Sequence, residues 1–157
     1  MKSIVRFGAA VAAIILVVVI AGGCASTRGT AITYSYEPRF TLPEAKTYQW
    51  GKAKPTYRQD SLLEANVRFV ADQALEAKGL AARADGAGLV VWMGYEYDPD
   101  VYGYGYELRA LTLNVSRPGG NELLWRGLAT RAIKTDAASG ELKQAVEAML
   151  ANFPPPK

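Results

Sequence analysis

Chemistry in a protein chain starts from its nucleophiles and proton carriers, and this chain is short of both. Its 157 residues include one cysteine, Cys24, and no histidine. A Ser-His-Asp or Cys-His relay therefore has no base, and the commonest metal ligand is missing. One thiol closes no internal disulfide and builds no cysteine cage for zinc. Acids and tyrosines remain, and they gather in one stretch, EYDPDVYGYGYE, from Glu96 to Glu107. Asp98 and Asp100 suit the first two alternate positions of a calcium loop, but Tyr102 fails the third. Arg109 stands at the twelfth, where a bidentate Glu is required. Leu108 falls where a dinucleotide fingerprint beginning at Gly103 needs its third glycine. Glu96 and Glu107 are a carboxylate pair that a hairpin could bring together for hydrolysis, although like charges at a solvated tip are more simply just solvated. The stretch reads best as a hairpin tip turned at Asp98-Pro99. Tyr102, Tyr104 and Tyr106 then form an aromatic surface for a protein partner or a glycan. No catalytic residue, metal ligand or cofactor site is assigned.

Cys24 itself closes a segment of a different kind. MKSIVRFGAAVAAIILVVVIAGGC opens on Lys2 and Arg6, continues as an apolar run from Phe7, and ends in small residues. That is the three-part plan of a secretory signal peptide. Ala21-Gly22-Gly23-Cys24 resembles a bacterial lipobox, which is cut just before a cysteine whose thiol receives a diacylglycerol. An uncleaved membrane helix over residues 7–23 is the alternative, since that length is marginally enough to span a bilayer core. The reading carried forward is a lipoprotein signal peptide at 1–23, a lipidated tether at 24–31 and a single domain at 32–157. Several acyl chains on Cys24 would anchor the chain stably, as one alone does not. No Asp follows Cys24, so the expected location is the outer membrane of a bacterial envelope, facing the periplasm. The formal charge of +3 belongs mostly to the leader. Without Lys2 and Arg6 the basic and acidic residues nearly balance, and nucleic acid is not expected as a partner.

The elements that must position these residues follow from periodicity. ITYSYEP alternates Ile32, Tyr34 and Tyr36 on one side of a strand, and AKTYQW offers a second extended piece, the two reading as one broken edge strand. Ser61 and Glu64 match a capping box at the start of a helix whose apolar face carries Leu63, Val67, Val70 and Ala74. Lys78-Gly79 stops it. GLVVWMGYEY, ELRALTLNVSR and LLWRGLATRAI follow as three strands joined by two short connections, an antiparallel meander. A last helix, capped by Ser139, carries Leu142, Val146, Met149, Leu150 and Phe153 on one stripe and ends at Pro154. Trp50, Trp92 and Trp125 each fall within a strand and are expected to pack in the core or at its rim. The predicted fold is α+β, a two-layer sandwich in the order β-α-β-β-β-α. It has a four-stranded, mostly antiparallel sheet with two helices on one face.

With those elements in place, the chain resembles the domain-of-unknown-function 4136 family (DUF4136) of bacterial lipoproteins. KTYQW, GLVVW, ELLWRGLA and the closing AVEAMLANFPPP carry the resemblance, which runs from about Lys46 to Pro156. These are packing and turn features, with no catalytic signature among them. Where members often carry a second acid before the second strand, this chain has Asp85-Gly86-Ala87-Gly88. The resemblance implies a periplasm-facing lipoprotein with a small domain and no assigned activity. The expectation is a non-enzymatic, lipid-anchored envelope protein that binds another envelope component or assists its assembly. A small-ligand or glycan-binding lipoprotein is the alternative.

Overall fold

A computed structural model describes residues 29–44, 46–51, 60–98, 107–119 and 122–155. In chain order the elements are β1 (Ala31–Tyr36), β2 (Thr47–Trp50), α1 (Ser61–Glu76), β3 (Ala81–Ala82), β4 (Leu89–Tyr97), β5 (Glu107–Ser116), β6 (Leu123–Lys134) and α2 (Glu141–Ala151). The fold is α+β with two helices, as expected. The sheet is not four-stranded: it has six strands in the order β1-β6-β5-β4-β2-β3 and is mixed.

The meander forms because its alternation is real on both sides. Val91, Met93 and Tyr95 of β4 stand opposite Val115, Leu113 and Leu111 of β5. Those in turn stand opposite Trp125, Gly127 and Ala129 of β6. One face is thereby apolar across three strands, and it shares a single buried cluster with Leu63, Val67, Ala71 and Leu75 of α1 and Leu142, Val146 and Met149 of α2. The buried stripe of α1 is turned slightly from the predicted one. Ala71 and Leu75 are buried, whereas Val70 and Ala74 sit at its margin.

Two corrections concern the edges. The pieces read as one broken edge strand lie on opposite flanks. β1 pairs antiparallel with β6, and β2 pairs parallel with β4. Pro38 and Pro43 lie in the connection between them, and proline cannot donate to a ladder, so the chain leaves one edge and crosses to the other. β3 escapes the sequence because two exposed alanines carry no alternation to read.

The first helix cap is also displaced by one residue. Asp60, not Ser61, accepts from the backbone N–H groups of Leu62 and Leu63, and Glu64 is engaged elsewhere. At α2 the N-cap residue is Gly140, at φ 67, a left-handed position suited to glycine. Ser139 Oγ still accepts from Glu141 N at 3.3 Å. Trp125 is fully buried, packed edge-on against Phe153 at 5.3 Å between ring centres. Gly127 leaves room for it: a Cβ there would clash with the Trp125 ring and come within 3.0 Å of Met149 Cβ.

Candidate functional site

Cys24, Tyr102, Tyr104 and Tyr106 lie outside the described residues. Of the predicted carboxylate pair, Glu96 is held by Arg109 at 2.7 Å. Glu107 stands opposite Lys134 and lines a cleft described below. Within their strands, Glu96 is opposite Ala110 and Glu107 opposite Lys134, so the ladder does not set the two acids facing each other. Trp50 and Trp92 are half-buried and Trp125 is core, as expected. Among the described residues no group of three side chains is placed to hold a metal, and no helix is long and apolar enough to cross a membrane.

Polar chemistry concentrates instead along α1. Asp60, Glu64, Arg68 and Asp72 recur every four residues, which places them on one face. That face meets aromatic residues from β4 and β2. The Tyr97 hydroxyl donates to Asp60 Oδ2 at 2.7 Å, and the Tyr95 hydroxyl accepts from Asp60 N at 2.8 Å and donates to Glu64 Oε1 at 3.1 Å. Further along, Asp72 Oδ1 accepts from both the Tyr48 hydroxyl, at 2.6 Å, and Trp50 Nε1, at 2.8 Å. The Arg68 guanidinium lies over the Trp50 ring at 5.3 Å, a cation–π distance. Every carboxylate here is an acceptor of phenol, indole or backbone protons. The seam anchors α1 to β2 and β4.

Burial raises the Tyr48 phenol well above its ordinary range, helped by its hydrogen bond to Asp72 and the negative charges of Asp72 and Glu76. Tyr95 is raised as well, first by burial and then by Glu64, against an opposing hydrogen bond from Asp60. A phenol that ionises later in the folded chain than in the unfolded one contributes its full stability below about pH 10, and loses it above. Denaturant melts at pH 9, 10 and 11 are therefore expected to show falling stability, at up to about 1.4 kcal/mol per pH unit for each such group. Tyr48→Phe should flatten part of that fall; an unchanged slope would remove Tyr48 as its source.

Two surface features are of a different character. Between α2 and the ends of β1, β5 and β6 lies an open cleft of about 780 Å³, walled by Gly29, Thr30, Glu107, Lys134, Glu141 and Ala145 among others. Its β6 wall follows a register shift. Leu108 pairs with Ile133 while Ala110 pairs with Thr130, and Arg131 takes φ 80 to accommodate the extra residue. Glu141 Oε2 accepts from Lys134 N at 2.9 Å and ties α2 to that strand end.

The second feature is β1 itself. Its six residues, AITYSY, carry no charge, and among the described residues nothing pairs with its outer edge. Tyr34 and Tyr36 stack at 6.3 Å with an interplanar angle of 12° and remain 47% and 41% exposed. A depression of about 250 Å³ beside them is lined by Leu123, Leu124 and Trp125. Alternation identifies these tyrosines only as strand-formers. The signal that marks them further is the missing charge on an edge, where natural sheets usually place Lys, Pro or a bulge.

The sequence model of a family described as a domain of unknown function, DUF4136, matches residues 32–155. No curated protein matches the chain. The fold is similar to a PelC dodecamer from Paraburkholderia phytofirmans, a point variant, at 14% identity and a TM-score of 0.55, covering 78% of this chain and 96% of that one. A second crystal form of the PelC dodecamer gives 14% and 0.53. A PDZ domain protein from Parabacteroides distasonis is similar at 13% identity and a TM-score of 0.60, over 82% of this chain but 36% of that one. At these identities the likeness is one of fold.

Proposed function

Since the chain belongs to the DUF4136 family, which brings no activity with it, we propose a function from its own residues: a non-enzymatic, lipid-anchored protein of the bacterial cell envelope. It is held at the outer membrane by acyl chains on Cys24, faces the periplasm, and binds or assists the assembly of another envelope component. The observation that carries the binding role is the uncharged edge of β1 with its stacked, exposed Tyr34 and Tyr36. Such an edge offers main-chain donors and acceptors to a partner strand, with the tyrosines as side-chain contacts. The fold's likeness to PelC, solved as a dodecamer, favours including further copies of this chain among the candidate partners. The Tyr102, Tyr104 and Tyr106 stretch is a second surface for the same role.

The anchor is tested by intact mass and membrane partition after expression in a bacterium. The wild type should lose residues 1–23 and gain acyl mass. Cys24→Ser should leave the membrane fraction or accumulate as precursor. An unmodified wild-type mass with the leader retained would sink the anchor. The edge is tested by Thr33→Lys, an exposed position in β1. It should cut crosslinking to the native neighbour at least tenfold with an unchanged melt, whereas unchanged crosslinking would move the contact elsewhere. A second reading, a small-ligand or glycan-binding lipoprotein, is favoured by the cleft beside α2.

A further inference from the structure

The ladder that holds β1 also dictates what its free side offers. Tyr36 stands opposite Trp125, so Glu37 falls opposite Leu124, and Glu37 N donates to Leu124 O at 2.9 Å. That bond marks a hydrogen-bonded pair, and in an antiparallel ladder such pairs alternate with pairs whose main-chain groups point away. The register runs unbroken from Ala31 to Tyr36. Ala31, Thr33 and Ser35 therefore direct their N–H and C=O groups to β6, while those of Ile32, Tyr34 and Tyr36 point outward. Pro38 is the next position in that series and has no N–H to donate, so the outward row stops there. The row matches itself. When a second β1 runs antiparallel with Tyr34 on a two-fold axis, Tyr34 meets Tyr34, Ile32 meets Tyr36 and Tyr36 meets Ile32. Every outward group of both strands then finds a partner. On the helix side these are aromatic–aromatic and aromatic–β-branched pairs, which stabilise a sheet. On the other side Thr33 meets Ser35, both exposed.

We propose that the occupant of the β1 edge is β1 of a second copy of this chain, paired antiparallel about Tyr34. This partner rests on the binding role proposed above for the same edge and gives that role its occupant. Charge permits the pairing, because AITYSY carries none. The two Glu37 side chains, each opposite Ala31 of the other copy, lie at opposite ends of the ladder, roughly 20 Å apart. Arg126, opposite Ser35, is held within its own sheet by Asn114 Oδ1 at 2.8 Å. The same register brings Ala31 and Ile32 of the second copy beside the depression lined in part by Leu123, Leu124 and Trp125, an apolar pair for an apolar wall. A two-fold contact of this kind is closed. It joins two six-stranded sheets into one, with the helices of both copies on the same side, and it covers both β1 edges. One short strand per copy is a small interface beside the about 1,200–2,000 Å² of stable complexes, so the dimer is expected to be weak and best caught by a covalent trap.

Disulfide trapping tests the register in the full-length chain, with Cys24→Ser so that no other thiol competes, held in detergent and oxidised with copper phenanthroline. Thr33 and Ser35 form a non-hydrogen-bonded pair across the two-fold, where Cα atoms approach to about 4.5 Å. A mixture of Thr33→Cys and Ser35→Cys chains should therefore crosslink about tenfold or more faster than either variant alone, whose thiols sit on a diagonal beyond easy disulfide reach. Intact mass reads the covalent dimer. Charge gives a second readout by native mass spectrometry. Thr33→Lys should abolish the dimer, and Thr33→Lys with Ser35→Glu in one chain should restore it, since the two-fold sets each lysine against a glutamate of the other copy. A melt of each variant separates misfolding from lost pairing. No mixed disulfide, or one no faster than either variant alone, overturns the proposal, and so does a dimer that the double variant fails to restore. The binding role of the edge fails separately. A missing disulfide with Thr33→Lys still cutting the crosslink to a native neighbour of different mass leaves the edge its role and gives it another partner. If Thr33→Lys changes neither, the edge reading falls as well.

Discussion

Trp125→Ala is expected to lower the unfolding free energy by about 3–5 kcal/mol, the range for truncating a fully buried large aromatic. Mature domains of this size hold only about 5–15 kcal/mol in total, so the variant should be unfolded or barely folded at 37 °C. The reason is local. Trp125 is closed off from solvent, meets the edge of Phe153 and fills the space that Gly127 leaves open. Alanine would leave a cavity against the ring of Phe153. Trp125→Phe separates the contributions. It keeps an aromatic surface against Phe153 and removes an indole N–H that is buried without a partner, so its cost should be well under half that of alanine. Urea titrations monitored by circular dichroism measure both. Equal losses for Ala and Phe would mean that packing volume is not what the indole contributes.

The second large effect is expected at Asp72. A single oxygen, Oδ1, receives the protons of Tyr48 and Trp50, so Asp72→Ala strands two donors at once. Leaving a buried donor unsatisfied costs about 1–3 kcal/mol. Tyr48 is fully buried and takes that cost in full; Trp50 is half-buried and can recover part of its bond from water. The expected loss is about 2–4 kcal/mol. Asp72→Asn keeps a carbonyl oxygen at the same place and should recover at least half of it. An alanine variant as stable as the asparagine variant would show that the seam is solvated in solution.

Much of this molecule could be read from its residues before any coordinates. The meander was legible because Leu111, Leu113 and Val115 alternate strictly with polar neighbours, and α2 because its stripe runs unbroken from Leu142 to Leu150. The sheet order was not. β1 and β2 each look like edge pieces, and nothing in four or six residues says which flank of the sheet each joins. That choice is made by long-range burial, with Tyr48 beneath α1 and Ile32 beside α2. The cap moved from Ser61 to Asp60 because Glu64, the expected reciprocal partner, is taken by the Tyr95 hydroxyl, a contact thirty-one positions away in sequence. The seam itself was invisible for the same reason. Its charged residues recur every four positions, a pattern that reads as a solvated helix face until Tyr48, Trp50, Tyr95 and Tyr97 arrive from two strands. Cys24 and the Tyr102–Tyr106 stretch lie outside the described residues and rest on sequence alone.

The ladder between β1 and β6 also fixes an order of events in time. Of the described strands β1 is the first to leave the ribosome, yet its partner is the last, with Ala31 opposite Thr130. Phe153, which closes over Trp125 and also meets Phe40 from the segment after β1, comes later still. No growing chain can therefore complete this sheet or seal its core until Phe153 has been made. For a protein exported as proposed above, that delay is useful: a chain whose beginning must wait for its end stays threadable while it passes through the translocation channel, and closes only on the far side.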